Sequence, residues 1–320
     1  MLVVCAACGT TLKDAVQPGL QSNGDYYPVA VDNYNSNKER IEISFQHAPQ
    51  RVYALHQNSI ETLLALGLED RIVGCAGDIP PTFKNADYKY REGFSKANYS
   101  DTRNPSLEDV LILKPDLILG WHSTFLEKSL GTTNFWRERS VATYMAATSN
   151  GILAKKTVED EYRYILDMGK IFNRQQEAAA IVKAMEDQFK FISVQTAQKT
   201  RPKTMVIEMI NHRITVYGNN QLAGNMLTRL GADVIDSGAT VSYEELIALN
   251  PDVLFIAYMG DDGQKYVDQL LQSEALASLA CVQNRRVYSI PLTCMYASAT
   301  QTLDGIRIFT AGLYPNLEKF

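Results

Sequence analysis

Blocks of like charge are missing from this sequence: 31 Lys and Arg face 36 Asp and Glu for a formal net charge of −5, and no run of five like charges occurs. The basic footprint of a nucleic-acid binder is therefore absent, and a polyphosphate partner is not expected. Long apolar runs are missing too. Val110–Trp121, among the longest, is broken by Lys114, Pro115 and Asp116, well short of the roughly 20 residues that span a bilayer. The 5 cysteines are too few and too scattered for a disulfide scaffold or a zinc site. Gly-x-Gly-x-x-Gly, Gly-x-x-x-x-Gly-Lys-Ser/Thr, Gly-x-Ser-x-Gly and His-Glu-x-x-His do not occur. Dinucleotide, nucleotide, serine-hydrolase and zinc-protease chemistries thus have no local support. What is present is ordinary globular composition, 46% hydrophobic and 21% charged over 320 residues, enough chain for two average domains.

The informative feature is a duplication. Ser106–Gly120 recurs as Ser242–Ile256, with serine, glutamate, leucine, proline and aspartate in register. Ser106 with Asp109, and Ser242 with Glu245, predict capping boxes that open short helices, which Pro115 and Pro251 then end. The unbroken apolar runs Leu117–Leu119 and Val253–Ile256 predict strands covered on both faces of a parallel sheet. A weaker echo precedes each copy. Strand 51–55, helix 59–66 closed by Gly67 and strand 71–74 correspond to strand 204–208, helix 223–230 closed by Gly231 and strand 232–235. The fold class is α/β, with two similar lobes each built on a mainly parallel sheet flanked by helices.

Between the copies, Thr157 and Asp160 predict the start of a helix that runs to Phe172. A second helix follows from about Gln175 to Gln198, where Ala178, Ile181, Val182, Met185, Phe189 and Ile192 step by three and four. At 1.5 Å per residue that is a rod of roughly 35 Å, and its place between two copies of one unit predicts a strut joining two lobes. The expected organisation is a leader and tether over 1–37, a first lobe over 38–174, the strut over 175–198 and a second lobe over 199–320.

Ala48–Val52, Glu61–Gly74, both Leu-x-Pro-Asp units, Asn284–Pro291 and Gly312–Pro315 together resemble the substrate-binding proteins of ABC importers for iron–siderophore, haem and cobalamin-type ligands. The resemblance covers residues 45–316 and lies in order, spacing and duplication. It implies lobes joined by one rigid helix, a ligand groove between them, little hinge closure and no catalysis. It also implies a monomer whose partners are an ABC permease and its ATPase, and whose ligand is a metal chelate, first of all a ferric siderophore. No cofactor is implied. Haem, cobalamin or free Ni, Co or Zn are alternative ligands, and a two-domain α/β enzyme such as a metal chelatase is the rival of another class. The first nine residues resemble the end of a bacterial lipoprotein signal peptide, with Cys8 as the lipidated residue behind Ala6 and Ala7. That implies an extracytoplasmic protein touching the membrane only through a lipid anchor. A disordered start with incidental thiols at Cys5 and Cys8, or a redox Cys-x-x-Cys, are the other readings.

In open α/β sheets, ligands sit beyond the C-terminal ends of the strands. That rule selects His56, Asn58, Asp78, Trp121 and His122 in the first half, and His212, Tyr258, Met259 and Tyr296 in the second. His56, His122 and His212 are candidate metal ligands or donors to bound anions, and each also reads as an ordinary hydrogen-bonded loop residue. Trp121 offers a flat surface to a planar or macrocyclic ligand, or reads as core. Tyr258 and Tyr296 line an aromatic wall or coordinate ferric iron. Arg91, Arg103, Arg137 and Arg139 suit an anionic chelate or a solvated face, with Phe135–Arg139 a helix along one wall. For an enzyme, Asp78 or His122 would be the acid or base, and nothing pairs them. Cys75, Cys281 and Cys294 read as small buried hydrophobes, the last two pairing only if the chain between them doubles back. The resemblance further implies one acidic docking residue per lobe for basic residues of the permease. The duplication nominates Glu108 and Glu244, leaving Asp109 and Glu245 as caps.

Overall fold

The computed structural model describes residues 26–77, 89–97, 99–100, 105–210, 213–260 and 262–317. Cys8, Asp78, Arg103 and His212 lie outside the described residues. The first half contains β1 (Val29–Tyr34), β2 (Arg40–Phe45), β3 (Val52–Leu55), α1 (His56–Ala65), β4 (Ile72–Ala76), α2 (Arg91–Lys96) and β5 (Tyr99–Ser100). It continues with α3 (Leu107–Ile112), β6 (Leu117–Gly120), α4 (Thr133–Arg137) and β7 (Ala142–Met145). Then come α5 (Val158–Ile171) and α6 (Gln175–Thr196). The second half has β8 (Lys203–Ile210), β9 (Arg213–Val216), α7 (Leu222–Arg229), β10 (Asp233–Val234), β11 (Thr240–Val241) and α8 (Tyr243–Leu249). It closes with β12 (Val253–Tyr258), α9 (Gln264–Leu271), α10 (Ala280–Gln283), β13 (Val287–Pro291) and α11 (Thr302–Leu313).

Among the described residues, each half builds one sheet. The first has the order β5-β4-β3-β6-β7 with every pairing parallel. The second has the path β11-β9-β8-β12-β13, with β10 against the start of β8. The set β3-β6-β7 is matched by β8-β12-β13, all parallel. The duplicated sequence therefore supplies β6 and β12, the middle strand of each matched set of three. One difference was not legible: β9 turns back antiparallel on the end of β8, so the strand–helix–strand echo of the second half carries an inserted hairpin.

The repeated motif does the same work twice. Ser106 and Ser242 accept the N–H of Asp109 and Glu245 at 3.1 Å in both cases. The residue before each proline, Lys114 or Asn250, is left-handed at φ 47° and 43°. Each following aspartate pins the neighbouring strand at its entrance. Asp116 accepts from the Gln50 and Arg51 N–H groups at 2.7 and 2.9 Å, and Asp252 accepts from Lys203 N–H at 2.9 Å. The backbone N–H of each aspartate returns a bond to the carbonyl of Arg51 or Lys203, at 2.8 Å both times.

Alternate residues of the middle strands enter different cores, which explains their unbroken apolar runs. Leu117 and Leu119 face one cluster and Ile118 another; Val253, Phe255 and Ala257 are likewise separated from Leu254 and Ile256. The inner cluster runs without interruption from one sheet through α1, α5, α6 and α11 to the other. The strut emerges as α6, which begins beside Tyr26 and Tyr27 of the first lobe and ends with Thr196 beside Gly231 and Tyr314 of the second. A continuous core across both lobes resists wide hinge opening, because opening would expose it.

The tether expected to reach residue 37 is corrected, since the described chain from Val29 forms the hairpin β1–β2. Val29, Val31 and Phe45 enter the inner core, and the Asn33 amide bonds both the N–H and the carbonyl of Met145 on edge strand β7, at 2.8 and 3.0 Å. This covers an edge that would otherwise invite pairing. Cys75, Cys281 and Cys294 are buried and unpaired with one another. No helix among the described residues is long and apolar enough to cross a membrane.

Candidate functional site

Because β3 and β6 are parallel neighbours, their C-terminal ends bring Leu55-His56 and Gly120-Trp121 to one edge of the first sheet. His56 opens α1 at φ 66°, and Gly77 permits this: a Cβ there would lie 3.1 Å from the His56 nitrogen, and its own φ of 128° favours glycine. The His56 ring stacks on Trp121 with centroids 3.9 Å apart and planes 15° from parallel. Trp121 Nε1 donates to Asn58 Oδ1 at 3.0 Å. From the opposite lobe Tyr296 meets the indole edge at 5.3 Å, and its hydroxyl accepts the Asn150 N–H at 2.8 Å. Four expected residues, His56, Asn58, Trp121 and Tyr296, thus form one strip across the seam between the lobes.

Burial pushes the His56 imidazole down to about 4, so at neutral pH the ring is uncharged with one nitrogen lone pair available. Burial raises the Tyr296 phenol, which opposes phenolate and favours the aromatic-wall role. Beneath Tyr296 lies Lys156, 5% exposed. Its ammonium stands 4.8 Å from the ring centroid and donates to Gln221 Oε1 at 3.0 Å. Burial lowers its pKa, with Glu161 pulling the other way. No carboxylate lies within 4.0 Å of Lys156 among the described residues, and a buried cation without a close counter-charge is costly. Tyr217 extends the second wall, donating to Glu208 Oε2 at 2.7 Å.

Other expected residues stand elsewhere or apart. His122 Nε2 is 2.9 Å from the Ser36 carbonyl, tying the ring to the β1–β2 hairpin. Tyr258 ends β12 with its ring against Gly263, and Met259 beyond it is 48% exposed. Arg137 and Arg139 do not line the groove: they lie at the entrance of β7, the opposite end of the sheet, where Arg139 covers the Phe135 ring at 3.7 Å. The 135–139 segment is helical only to Arg137, and Trp136 is its buried residue. Arg91 is exposed on α2. Among the described residues no group of three or more His, Cys, Asp or Glu could hold a metal ion. Glu108 and Glu244 are exposed in the first turns of α3 and α8.

Lys156, Asn150, Tyr217 and Glu208 were missed. Neighbouring Lys155 is exposed, and nothing local distinguishes the two lysines; only the approach of the second lobe buries one.

The profile described as periplasmic binding protein matches residues 52–292. The chain belongs to the periplasmic binding protein family. A member from Veillonella parvula DSM 2008 superposes with a TM-score of 0.82 at 38% identity, covering 90% of this chain and 92% of that one. The ABC transporter substrate-binding lipoprotein YvrC of Bacillus subtilis is 22% identical over 99% of this chain and 95% of its own. The petrobactin-binding protein YclQ of the same organism is 24% identical over 82% of this chain and 84% of its own. Membership in this family makes the chain a solute-binding protein rather than an enzyme, and the two-lobed α/β fold is the family's.

Proposed function

We propose that the protein captures an anionic metal chelate, first of all a ferric siderophore, between its lobes and delivers it to an ABC permease and its ATPase. The observation that carries this reading is the strip His56–Trp121–Tyr296 with Lys156 buried beneath it. Flat aromatic faces suit a chelate's rings, and an ammonium without a close carboxylate suits its negative charge. The names of YvrC and YclQ, a substrate-binding lipoprotein and a petrobactin-binding protein, support the same class. The metal arrives as cargo inside its chelator, so no resident cofactor is needed. A monomer outside the cytoplasmic membrane, held through lipidated Cys8, completes the proposal.

The test is thermal melting of metal-free protein with ferric catecholate and ferric hydroxamate chelates, haemin, cobalamin and Ni²⁺. A ligand at 100 times its dissociation constant adds about 2.7 kcal/mol. A raised Tm with a ferric chelate alone is expected. A response to haemin, cobalamin or Ni²⁺ alone would reassign the ligand, and unchanged melting with all would overturn the proposal.

Replacing Glu108 and Glu244 together by glutamine is expected to leave chelate affinity intact while cellular uptake falls, because both carboxylates are exposed in the first turns of α3 and α8 and neither belongs to the strip. Uptake equal to that of the unaltered protein would reject their docking role.

A further inference from the structure

Tyr296 is followed by a buried stretch of unusual backbone. Ala297 and Ala299 are left-handed at φ 45° and 43° and each 1% exposed, a conformation alanine does not favour. Glu161 of α5, also 1% exposed, faces this stretch. Its Oε2 accepts the Ala299 N–H at 2.6 Å, and the Thr148 side chain and Ser298 backbone also favour its charged form. Thr148 lies two residues before Asn150, whose N–H binds the Tyr296 hydroxyl. One carboxylate therefore reaches both segments whose junction sets the Tyr296 ring. Glu161 Oε1 has no hydrogen-bond partner among the described residues, so this group is not a fully satisfied structural pair.

We infer that Glu161 is the positioning residue of the groove: ionised, it holds the left-handed 297–299 segment so that Tyr296 stands against Trp121, and on taking up a proton it slackens that wall. The inference rests on the reading that ligand binds at this wall. It makes capture strongest above neutrality and weaker in mild acid.

Burial pushes the Glu161 carboxyl up to about 7, so its charge changes near neutrality. The titratable groups that face it are Asp160 and Tyr164 of its own helix and Lys156 in the preceding loop, while the opposed segment faces it with the backbone of Ser298 and Ala299. On α1, Glu61 accepts from Gln57 and Gln301. On α7, Arg229 is paired with Glu159.

The linkage has a definite sign. The folded value lies above the unfolded one, so between them the folded chain binds more protons. The resulting stability is present at acid pH and lost as pH rises through about 7. Glu161→Gln, which mimics the neutral form, is therefore expected to raise Tm at pH 8 and to leave it unchanged at pH 5.5. Burial alone gives this sign, so the Trp121 emission step and the affinity profile, which a merely structural carboxylate would not move, separate the positioning role.

Trp121 and Trp136 are the 2 tryptophans, so Trp136→Phe makes Trp121 the sole reporter. In the ligand-free full chain its emission is expected to change in one step centred near pH 7, a step that Glu161→Gln removes and His122→Gln retains. His56 titrates far below, at about 4. With a ferric catecholate as probe, affinity is expected to fall several-fold from pH 8 to pH 6, and in Glu161→Gln to be weaker at pH 8 and independent of pH. If Glu161→Gln does not fold, Thr148→Val, which removes a donor to the charged form, is expected to move the step to higher pH. A step unchanged by Glu161→Gln, or by Thr148→Val in its place, overturns the inference. A step that Glu161→Gln abolishes in protein that binds no chelate supports the positioning role and rejects the ligand reading alone.

Discussion

Replacing Trp121 by alanine is expected to weaken chelate binding by roughly 30-fold, about 2 kcal/mol, the scale of a central aromatic anchor. The indole holds the strip together, stacked on His56 at 3.9 Å and meeting Tyr296 at 5.3 Å. Its removal would also strip Asn58 Oδ1 of its donor, when Asn58 Nδ2 already has no partner among the described residues. Folding is expected to suffer less than binding, because Trp121 is only partly buried and water can refill its place. Trp121→Phe keeps the stacking face and loses the N–H, so it is expected to recover most of the affinity. Calorimetric titration of the three proteins with a ferric chelate checks both points. Equal affinity for the alanine variant would remove Trp121 from the site.

Replacing Phe255 by alanine is expected to have the largest effect on stability, a loss of about 3–5 kcal/mol. Phe255 sits in β12, between β8 and β13 of the second sheet, and is 0% exposed. Its ring meets Phe309 edge-on at 4.8 Å and Tyr288 at 5.6 Å. Gly312 closes the pocket from α11, where an added Cβ would stand 2.6 Å from the Phe255 ring. With so little room for neighbours to shift, the deletion leaves a cavity. Against a typical total of about 5–15 kcal/mol, the loss corresponds to a Tm lowered by roughly 10 °C. Urea and thermal unfolding measure it. A change under about 1 kcal/mol would mean that α11 collapses onto the strand and refills the volume.

Much of the scaffold was legible because its signals are local. Ser106 and Ser242 open helices where their capping acids indicate, α6 follows its apolar spacing, and the apolar runs at 117 and 253 lie between two cores. The hairpin β1–β2 was hidden in polar composition: Asn33, Asn35 and Ser36 read as tether residues until their bonds to Met145, Glu39 and Thr133 are seen. The Leu-x-Pro-Asp motif was recognisable as a repeat, yet its aspartate clamps a strand some 50–65 residues away in sequence. A pattern within one element cannot report such a bond.

The same division holds at the groove. Strand ends nominated His56, Asn58, Trp121 and Tyr296, since a parallel sheet gathers its C-terminal ends on one edge. His122 shares that position but turns to Ser36, and Arg137 and Arg139 fall at the far end. Sequence by itself determined the duplicated α/β halves, the helix between them and the edge of the sheet at which the strip assembles, because helix period, capping and strand burial are written in neighbouring residues. Tertiary structure alone decided that Lys156 is buried while Lys155 is not, and that Glu161 meets Ala299. Desolvation and hydrogen bonding across a seam depend on what the other lobe brings into contact, and no local pattern encodes that.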